Sequence, residues 1–295
     1  MASPGAIPHR VRAAIVNVFP ELAAATFTPM TAGWDSLAID VDDRLIFKFP
    51  RDCRAERALL AEAALLAVVR PAVTMIVPDL RLHHGPPLFS VHEKIKGGHL
   101  LAKDYEILPH SARDRIAADI ARFYAELHCL PRDRMAAVGA EPIAPWQSAA
   151  GMRTNALAKL PLELRDAAEA IIADFERLPP DPLGTTYGFF DGHGWNMAFD
   201  HALQQLNGIY DFADSGFGPR HQEFVYTNLI STDLTERVTG AYEQMTGLDI
   251  DRRRIATLTG AHRLSELAEL ADDPTHAQEM IRYAAGWLAR LPRHG

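Results

Sequence analysis

Three oxygen-bearing side chains in one short segment are spaced so that they could hold a metal ion. Asp191 lies in a glycine-rich loop, Asn196 follows five residues later, and Asp211 is followed directly by Phe212. Apolar runs on either side of a turn at 200–205 predict a β-hairpin, which sets Asn196 and Asp211 nearly opposite each other. Oxygen ligands that are too few for a closed cage suit Mg²⁺, which completes its shell with water and phosphate oxygens.

The spacing is typical of kinases, in which a catalytic-loop aspartate precedes an asparagine by five residues and a second aspartate stands before a phenylalanine. In that pattern Asp191 orients or deprotonates the attacking hydroxyl, and Asn196 and Asp211 are metal ligands. The alternative treats Asp191 and Asp211 as turn and strand-end residues with solvated carboxylates. It leaves their convergence unexplained.

A single lysine in the first part of the chain also indicates phosphate chemistry. Lys48 is the only lysine among the first 93 residues, and it lies on an apolar strand where arginine would serve equally for solubility. A compact ammonium can pair with the α and β phosphates, with Glu62 on the following helix holding it in place. Glu56, one and a half turns earlier, is the alternative partner, and a strand-edge lysine that discourages aggregation is the alternative role.

Together these motifs resemble the aminoglycoside phosphotransferase and choline kinase family, small-molecule kinases with a protein-kinase-like fold. The catalytic loop of that family matches Asp191, His193 and Asn196, and its metal-binding stretch matches Ile209 to Asp214. The resemblance spans most of the chain. Its other matching segments are Gly33-Trp34-Asp35, Leu45-Ile46-Phe47-Lys48-Phe49-Pro50, Glu62-Ala63-Ala64-Leu65-Leu66 and Glu93-Lys94-Ile95-Lys96-Gly97.

The resemblance implies how a nucleoside triphosphate binds. The carbonyl of Glu93 and the N–H of Ile95 would contact the base, and backbone N–H groups of the turn that contains Gly33 and Ser36 would cover the phosphates. The glycine-rich loop of protein kinases is absent, and this turn offers only Gly33 in its place. Backbone contacts hardly depend on sequence, which leaves ATP and GTP both open as donor. We expect His193 to be a structural hydrogen-bonding residue, because Asp191 already fills the role of proton acceptor.

The sequence departs from the family pattern in two places. Phe189 stands where the family usually has a histidine, and Pro219-Arg220 replaces an Asp-Pro step, with Glu223 at the position of a later aspartate. Neither change removes a metal or phosphate group. The change at Phe189 nevertheless leaves an alternative function open, namely a catalytically weak or inactive kinase-fold module that binds a nucleotide or a regulatory partner.

The excess of acidic side chains in the second half of the chain indicates the charge of the acceptor molecule. Between Tyr187 and Asp273 there are fourteen acidic and six basic side chains, a local excess of eight negative charges. An aminoglycoside-like or amino-alcohol cation would be attracted there, although general surface acidity explains the same count. We expect phosphoryl transfer to a hydroxyl of such a small cationic molecule.

Positioning these residues requires an α+β chain of two lobes. A length of 295 residues suits two packed units. Residues 1–97 form the expected nucleotide-binding lobe, with the hinge at about 93–97, and 98–295 form a helical lobe with the catalytic loop and acceptor site. The expected helices are 8–22, 55–69, 111–130, 146–158, 161–178, 224–244, 251–270 and 275–291, and the expected strands are 27–31, 37–41, 44–49, 73–77, 80–83 and 88–95, with a hairpin island at 185–214.

Composition excludes several other classes of protein. A net charge of −8 disfavours nucleic-acid and anionic-membrane surfaces, and the run Arg252-Arg253-Arg254 is expected to be a solvated helix face. No apolar stretch approaches the ~20 residues of a membrane-spanning helix. Cys53 and Cys129 are too far apart in sequence for a disulfide framework or a zinc ribbon. We expect a cytoplasmic protein of unknown oligomeric state.

Overall fold

The first third of the chain forms one antiparallel five-stranded sheet. The computed structural model describes residues 7–30 and 36–291. Within them the strand order is β1-β2-β3-β5-β4, and all pairs are antiparallel. The strands are β1 Phe27–Met30, β2 Ser36–Val41, β3 Leu45–Pro50, β4 Arg81–His83 and β5 Phe89–Glu93. The predicted three-strand meander is confirmed.

Strand β3 presents different residues to the two faces of the sheet, because successive side chains alternate. Phe47 and Phe49 are buried, and both rings lie against Phe89 of β5. This apolar face packs against α1, which spans His9–Val18 and buries Ile15. Lys48 therefore points to the opposite face.

Helix α2 spans Cys53–Val69 and supplies the partner for that opposite face. It begins at Asp52, whose carboxylate accepts hydrogen bonds from the backbone nitrogens of Arg54 (2.9 Å) and Ala55 (2.8 Å). Its leucines bury one side of the helix, and Glu62 lies on that same side at 3% exposure. A glutamate so deeply buried requires a cationic or N–H partner.

The strand predicted at 73–77 is wrong. This segment has no regular secondary structure, and its backbone N–H and C=O groups bond to separate partners instead of to a neighbouring strand. The backbone nitrogen of Thr74 donates to the carboxylate of Glu126 (2.7 Å), and the carbonyl of Ile76 accepts from the nitrogen of Ile209 (3.0 Å). An apolar run can thus pack part of its side chains into the core without joining a sheet ladder.

The remainder of the chain is mainly helical, as predicted. The helices are α3 Ala102–Glu106, α4 His110–His128, α5 Arg132–Ala137, α6 Ala149–Asn155, α7 Leu162–Glu176, α8 Thr232–Thr246, α9 Arg252–Glu269 and α10 Ala277–Leu288. No helix in the described part of the chain is long and apolar enough to cross a membrane.

The single helix predicted at 224–244 is wrong in its first part. A 3₁₀ helix spans Arg220–Leu229, and α8 begins only after Ser231, whose hydroxyl accepts from the backbone nitrogen of Asp233 (3.2 Å). The serine is a favourable N-cap, so it starts a new helix within the apolar pattern. Glu223 lies in this 3₁₀ helix and is fully buried.

The expected solvated face of three arginines at the start of α9 is also wrong. Arg252 pairs with Glu243, and Arg254 is buried, so only Arg253 is exposed.

Two small sheets lie between the helices. Strand β6 (Thr185–Gly188) pairs with β9 (Gly216–Pro219), and β7 (Met197–Asp200) pairs with β8 (Gln205–Ile209). The predicted hairpin is confirmed. The helical region and the five-stranded region together confirm the predicted mixed α+β arrangement.

Candidate active site

Lys48 is held between two carboxylates that come from different parts of the chain. Its ammonium lies 3.3 Å from Oε1 of Glu62 on α2 and 3.2 Å from Oδ1 of Asp211, which follows β8. Glu56 is exposed, so Glu62 is the glutamate that faces Lys48. Burial alone would lower the pKa of Lys48, but Glu62 and Asp211 outweigh it and raise that pKa above its ordinary value.

Glu62 also fixes the backbone next to Asp211. Its Oε1 accepts a hydrogen bond from the backbone nitrogen of Phe212 (3.1 Å). Asp211 has a positive φ of 71°, a conformation that is uncommon for residues other than glycine. The Asp211 side chain remains half exposed, so one buried carboxylate positions both the lysine and the aspartate at an open cleft.

The predicted catalytic loop, which contains Asp191, His193 and Asn196, forms a second cluster. Asn196, in a 3₁₀ turn before β7, donates from Nδ2 to the Asp191 carboxylate (2.5 Å) and to its carbonyl (3.1 Å). Nε2 of His193 lies 3.1 Å from the other carboxylate oxygen of Asp191. The backbone nitrogen of Tyr210 donates to the Asn196 carbonyl (3.0 Å), so the hairpin sets Asn196 opposite Tyr210, one residue from the predicted position.

Glu223 holds the backbone that precedes Asp191. Its carboxylate accepts from the nitrogens of Phe189 (3.0 Å) and Phe190 (2.8 Å), and Phe190 has a positive φ of 53°. Each of the two left-handed residues at this site is therefore locked by a buried glutamate, Phe190 by Glu223 and Asp211 through Glu62.

A chain of donors and acceptors supports Glu223 from behind. The guanidinium of Arg220 donates to the Tyr242 hydroxyl (2.6 Å), which lies 2.8 Å from Nδ1 of His128, and Nε2 of His128 lies 3.3 Å from Glu223. Burial lowers the pKa of His128, which keeps the ring neutral. A neutral ring can accept at Nδ1 and donate from Nε2, so each contact from Arg220 to Glu223 joins a donor to an acceptor.

The sequence motifs did not identify these supporting residues. In the sequence Glu223 stands out only as a departure from the family pattern, and no motif contains His128. Two features together would have identified Glu223, namely its full burial and a preceding loop whose backbone N–H groups need acceptors. Its burial goes with the 3₁₀ helix before α8, which the sequence pattern does not predict. Phe189, which replaces the usual histidine, is fully buried against Phe123 and Phe212.

Close packing explains two glycines of the catalytic loop. A side chain at Gly192 would lie 2.1 Å from the Tyr124 hydroxyl, and one at Gly194 would lie 1.8 Å from the carbonyl of Leu100. The backbone nitrogen of Leu100 also donates to the carbonyl of Gly194 (3.1 Å). The loop therefore packs closely against the segment that follows the predicted hinge.

The predicted hinge residues follow β5 directly. Glu93 ends that strand, and its carbonyl lies 2.9 Å from Nδ1 of the buried His92, whose pKa burial lowers to about 4. Ile95 lies against Gly208 of β8, where an added side chain would come within 2.9 Å of the isoleucine. Lys94 pairs with Asp40 on β2 (2.5 Å), which ties the hinge to the sheet.

The predicted phosphate-covering turn is only partly described. Ser36 begins β2 and pairs in register with Pro50, two residues after Lys48. Gly33 lies outside the described residues. The structure thus brings together Lys48, Glu62 and Asp211 in one cluster and Asp191 with Asn196 in a second.

The oxygen atoms in the cleft fit a magnesium ion. Nδ2 of Asn196 is turned to Asp191, which leaves its Oδ1 as the outward acceptor. Oδ2 of Asp211 makes no hydrogen bond within the described residues, while Oδ1 contacts Lys48. No group of three or more His, Cys, Asp or Glu side chains in the described chain could hold a metal alone. This set therefore suits an ion that takes its other ligands from water and phosphate.

Comparison with known proteins decides the family. The model of the phosphotransferase enzyme family matches residues 26–258, which is most of the chain. The chain belongs to this family. The resemblance inferred from the motifs is confirmed, as is the prediction of a small-molecule kinase. A search of curated proteins finds no significant match to this phosphotransferase.

Solved structures show the same fold at low sequence identity. The GDP complex of wild-type aminoglycoside 2'-phosphotransferase-IIIa has a TM-score of 0.79 at 20% identity, with 95% of this chain and 98% of that chain covered. The GDP and kanamycin complex of APH(2")-IIIa gives 0.75 at 19%, with 96% and 98% covered. Macrolide 2'-phosphotransferase MphH from Brachybacterium faecium gives 0.60 at 17%, with 95% and 100% covered.

Proposed function

We propose that this phosphotransferase moves the γ-phosphoryl group of ATP or GTP to a hydroxyl of a small cationic molecule. The observation that carries the proposal is the cluster in which Lys48 contacts both Glu62 and Asp211. Glu62 is buried and fixes the position of the Lys48 ammonium, and the half-exposed Asp211 lies beside it, so the lysine can bind phosphate oxygens next to a carboxylate that can hold their metal ion.

In the proposed reaction the acceptor oxygen forms a bond to the γ-phosphorus while the bond from that phosphorus to the bridging oxygen breaks. Asp191 accepts the hydroxyl proton and aligns the oxygen, and the nucleoside diphosphate leaves. His193 and Asn196 hold the Asp191 carboxylate at both of its oxygens, so it cannot rotate freely. Lys48 orients the α and β phosphates, and positioning supplies most of the rate enhancement.

Mg²⁺ would neutralise charge that develops on the phosphate oxygens. Asn196 and Asp211 are the residues that would hold it, through one amide and one carboxylate oxygen. The base would bind at the hinge through the Glu93 carbonyl and the Ile95 N–H, and the turn with Gly33 and Ser36 would cover the phosphates. GDP and ATP complexes of fold relatives support a purine nucleotide as donor.

Acidic and aromatic side chains beside the catalytic loop support a cationic acceptor. Glu266 on α9 lies 3.6 Å from His262, and its charge also acts on His193, which contacts Asp191. Trp195, next to Asn196 in the loop, is 46% exposed. Relatives bind kanamycin or act on macrolides, and both are cationic molecules that carry hydroxyl groups.

The inactive-module alternative rested on Phe189, and the packing of Phe189 removes that argument. The ring fills the core while the backbone nitrogen is held by Glu223, so the loop does not need a histidine at this position to keep its shape. All four polar kinase groups are retained in Lys48, Asp191, Asn196 and Asp211.

The experiment is a coupled assay of nucleotide consumption with Mg²⁺. ATP and GTP are each tested with aminoglycosides, macrolides, choline-like amines, amino alcohols and neutral sugars, and the phosphorylated product is identified by mass spectrometry. We expect consumption that depends on one class of cationic hydroxyl compound and is lost in Asp191→Asn. Absence of acceptor-dependent turnover with every class, together with nucleotide binding, would favour the inactive module.

A further inference from the structure

His92 lies near the end of β5, on the face of the sheet that carries Lys48. Lys48 pairs in register with Ser90, and side chains two residues apart on a strand share a face, so His92 lies on that face next to the predicted hinge. Val91, between Ser90 and His92, belongs to the apolar core on the other face. The charges of Lys48 and Asp211 both act on the ring. The His92 side chain therefore faces the proposed nucleotide cleft.

One hydrogen bond fixes which nitrogen of the His92 ring carries the proton. Nδ1 lies 2.9 Å from the carbonyl oxygen of Glu93, and a carbonyl oxygen can only accept, so Nδ1 is the donor. Burial lowers the pKa of His92 to about 4, which keeps the ring neutral. A neutral ring that is protonated at Nδ1 carries a lone pair at Nε2, and Nε2 is therefore a hydrogen-bond acceptor.

The acceptor at Nε2 of His92 is not used inside the protein. Within the described chain Nε2 has no hydrogen-bond partner, yet it is not sealed from solvent, although only 7% of the residue is exposed. The proposed reaction also makes no use of this atom. An unpaired acceptor on the cleft face is available to a ligand that enters the cleft.

The two hinge groups proposed to bind the base are not used by the sheet. The backbone nitrogen of Lys94 donates to the carbonyl of Arg44 (2.8 Å), and antiparallel pairs alternate between hydrogen-bonded and non-hydrogen-bonded. The preceding pair, which includes Glu93, is therefore of the second kind, so its carbonyl is not engaged by β3. The backbone nitrogen of Ile95 makes no hydrogen bond to any described residue. Both groups are free to contact a base.

Together these groups present two acceptors and one donor to the edge of a base. The acceptors are the Glu93 carbonyl and Nε2 of His92, and the donor is the Ile95 N–H. Adenine carries two N–H groups on its 6-amino nitrogen and an acceptor at N1, whereas guanine carries an acceptor at O6 and a donor at N1. The adenine amino group can donate to both acceptors while N1 accepts from Ile95. Guanine O6 beside Nε2 would set two acceptors together with no proton between them.

The fold by itself does not determine the base, since fold relatives form complexes with GDP in one case and with ATP in another. We propose that His92 makes this phosphotransferase select ATP over GTP, through a hydrogen bond that Nε2 accepts from the 6-amino group of adenine. This inference rests on the proposed function, because it requires that the base binds at the hinge. It names one of the two donors that the proposed function leaves open.

The test measures the affinities for Mg-ATP and Mg-GTP by calorimetry in wild type and in His92→Leu. We expect wild type to bind Mg-ATP about tenfold more tightly than Mg-GTP, since one hydrogen bond is gained with adenine and one acceptor is left unpaired with guanine. Leucine fills the buried position without an acceptor, so the two affinities should approach each other, mainly through weaker binding of Mg-ATP. His84→Leu, at an exposed position after β4, is the matched control and should keep the wild-type ratio.

A nucleotide analogue tests the same contact without changing the protein. Purine riboside triphosphate has a hydrogen atom in place of the 6-amino group, so it should bind wild type more weakly than ATP does. The difference between ATP and this analogue should shrink in His92→Leu, because the partner of the amino group is gone. Long-range ¹H–¹⁵N spectra of the histidine rings should show wild-type His92 protonated at Nδ1, with the Nε2 resonance shifted by Mg-ATP.

A preference for ATP that is lost in His92→Leu and kept in His84→Leu supports the proposal. Equal affinities or a preference for GTP in wild type, or an ATP preference that His92→Leu leaves unchanged, overturns it. If His92→Leu does not fold, wild type decides alone, since equal binding of ATP and purine riboside triphosphate also overturns it. The proposed function fails separately, because it requires acceptor-dependent turnover of either nucleotide. No binding of either nucleotide overturns both.

Discussion

Oε1 of Glu62 lies 3.1 Å from the backbone nitrogen of Phe212, although 150 residues separate them in the chain. The same oxygen lies 3.3 Å from the Lys48 ammonium. This one carboxylate therefore couples the sheet, helix α2 and the strand end that carries Asp211. Lys48, proposed to bind phosphate, and Asp211, proposed to bind the metal, depend on Glu62 for their relative position. Glu62 itself is buried and has no access to a substrate.

Replacement of Lys48 tests the nucleotide site. Lys48→Ala removes the cation that balances Glu62 and Asp211, so we expect Mg-ATP and Mg-GTP to raise the melting temperature much less than in wild type. Differential scanning fluorimetry with and without nucleotide measures this shift. Lys103→Ala on exposed α3 is the matched control and should keep the full shift. Equal shifts in Lys48→Ala and wild type would exclude Lys48 from the site.

Glu223 is expected to act on the reaction by holding the catalytic loop. Glu223→Gln keeps the size but leaves one acceptor oxygen for the nitrogens of Phe189 and Phe190. One buried N–H without a partner costs about 1–3 kcal/mol of unfolding free energy. We expect urea denaturation to show this loss and kcat to fall while nucleotide affinity stays near wild type. Glu269→Gln, at an exposed position on α9, is the control, and a wild-type kcat in Glu223→Gln would contradict the positioning role.

The sequence identified most of the polar groups in the cleft because their chemistry depends on residue type and short spacing. Lys48, Asp191, Asn196 and Asp211 follow from such local patterns, as does the sheet from its alternating apolar residues. Glu223 and His128 were missed because their role arises only when α4, the 3₁₀ helix and β6 pack together. The segment 73–77 does not form the predicted strand for a related reason, since Val73, Met75 and Val77 pack against residues that lie far away in sequence, while Ile76 stays exposed.

The pairing of His193 with Asp191 predicts a pH dependence of stability. Burial alone would lower the pKa of His193, but the hydrogen bond to Asp191 and the charges of Asp191, Glu266 and Asp211 raise it above the ordinary value of 6.5. The folded state then binds more protons than the unfolded state above that value, so the contribution is complete below pH 6.5 and is lost as pH rises through the raised pKa. Urea denaturation of wild type and His193→Asn at about pH 6 and about pH 9 should give the larger difference in unfolding free energy at the lower pH. An equal difference at both would contradict the charged pair.

Replacement of the two aspartates should separate proton acceptance from metal binding. Asp191→Asn keeps the size of the side chain and an oxygen that can accept from Asn196, but it removes the basic carboxylate, so turnover should fall by about 10²–10⁴ with nearly unchanged nucleotide affinity. Asp211→Asn removes a charge that faces both Lys48 and the proposed metal, so it should weaken Mg-nucleotide binding as well as the rate. Steady-state kinetics and calorimetric titration of Mg-nucleotide measure the two effects, with Asp249→Asn at an exposed position as the control. Wild-type turnover by Asp191→Asn with an identified acceptor would show that Asp191 does not accept the proton.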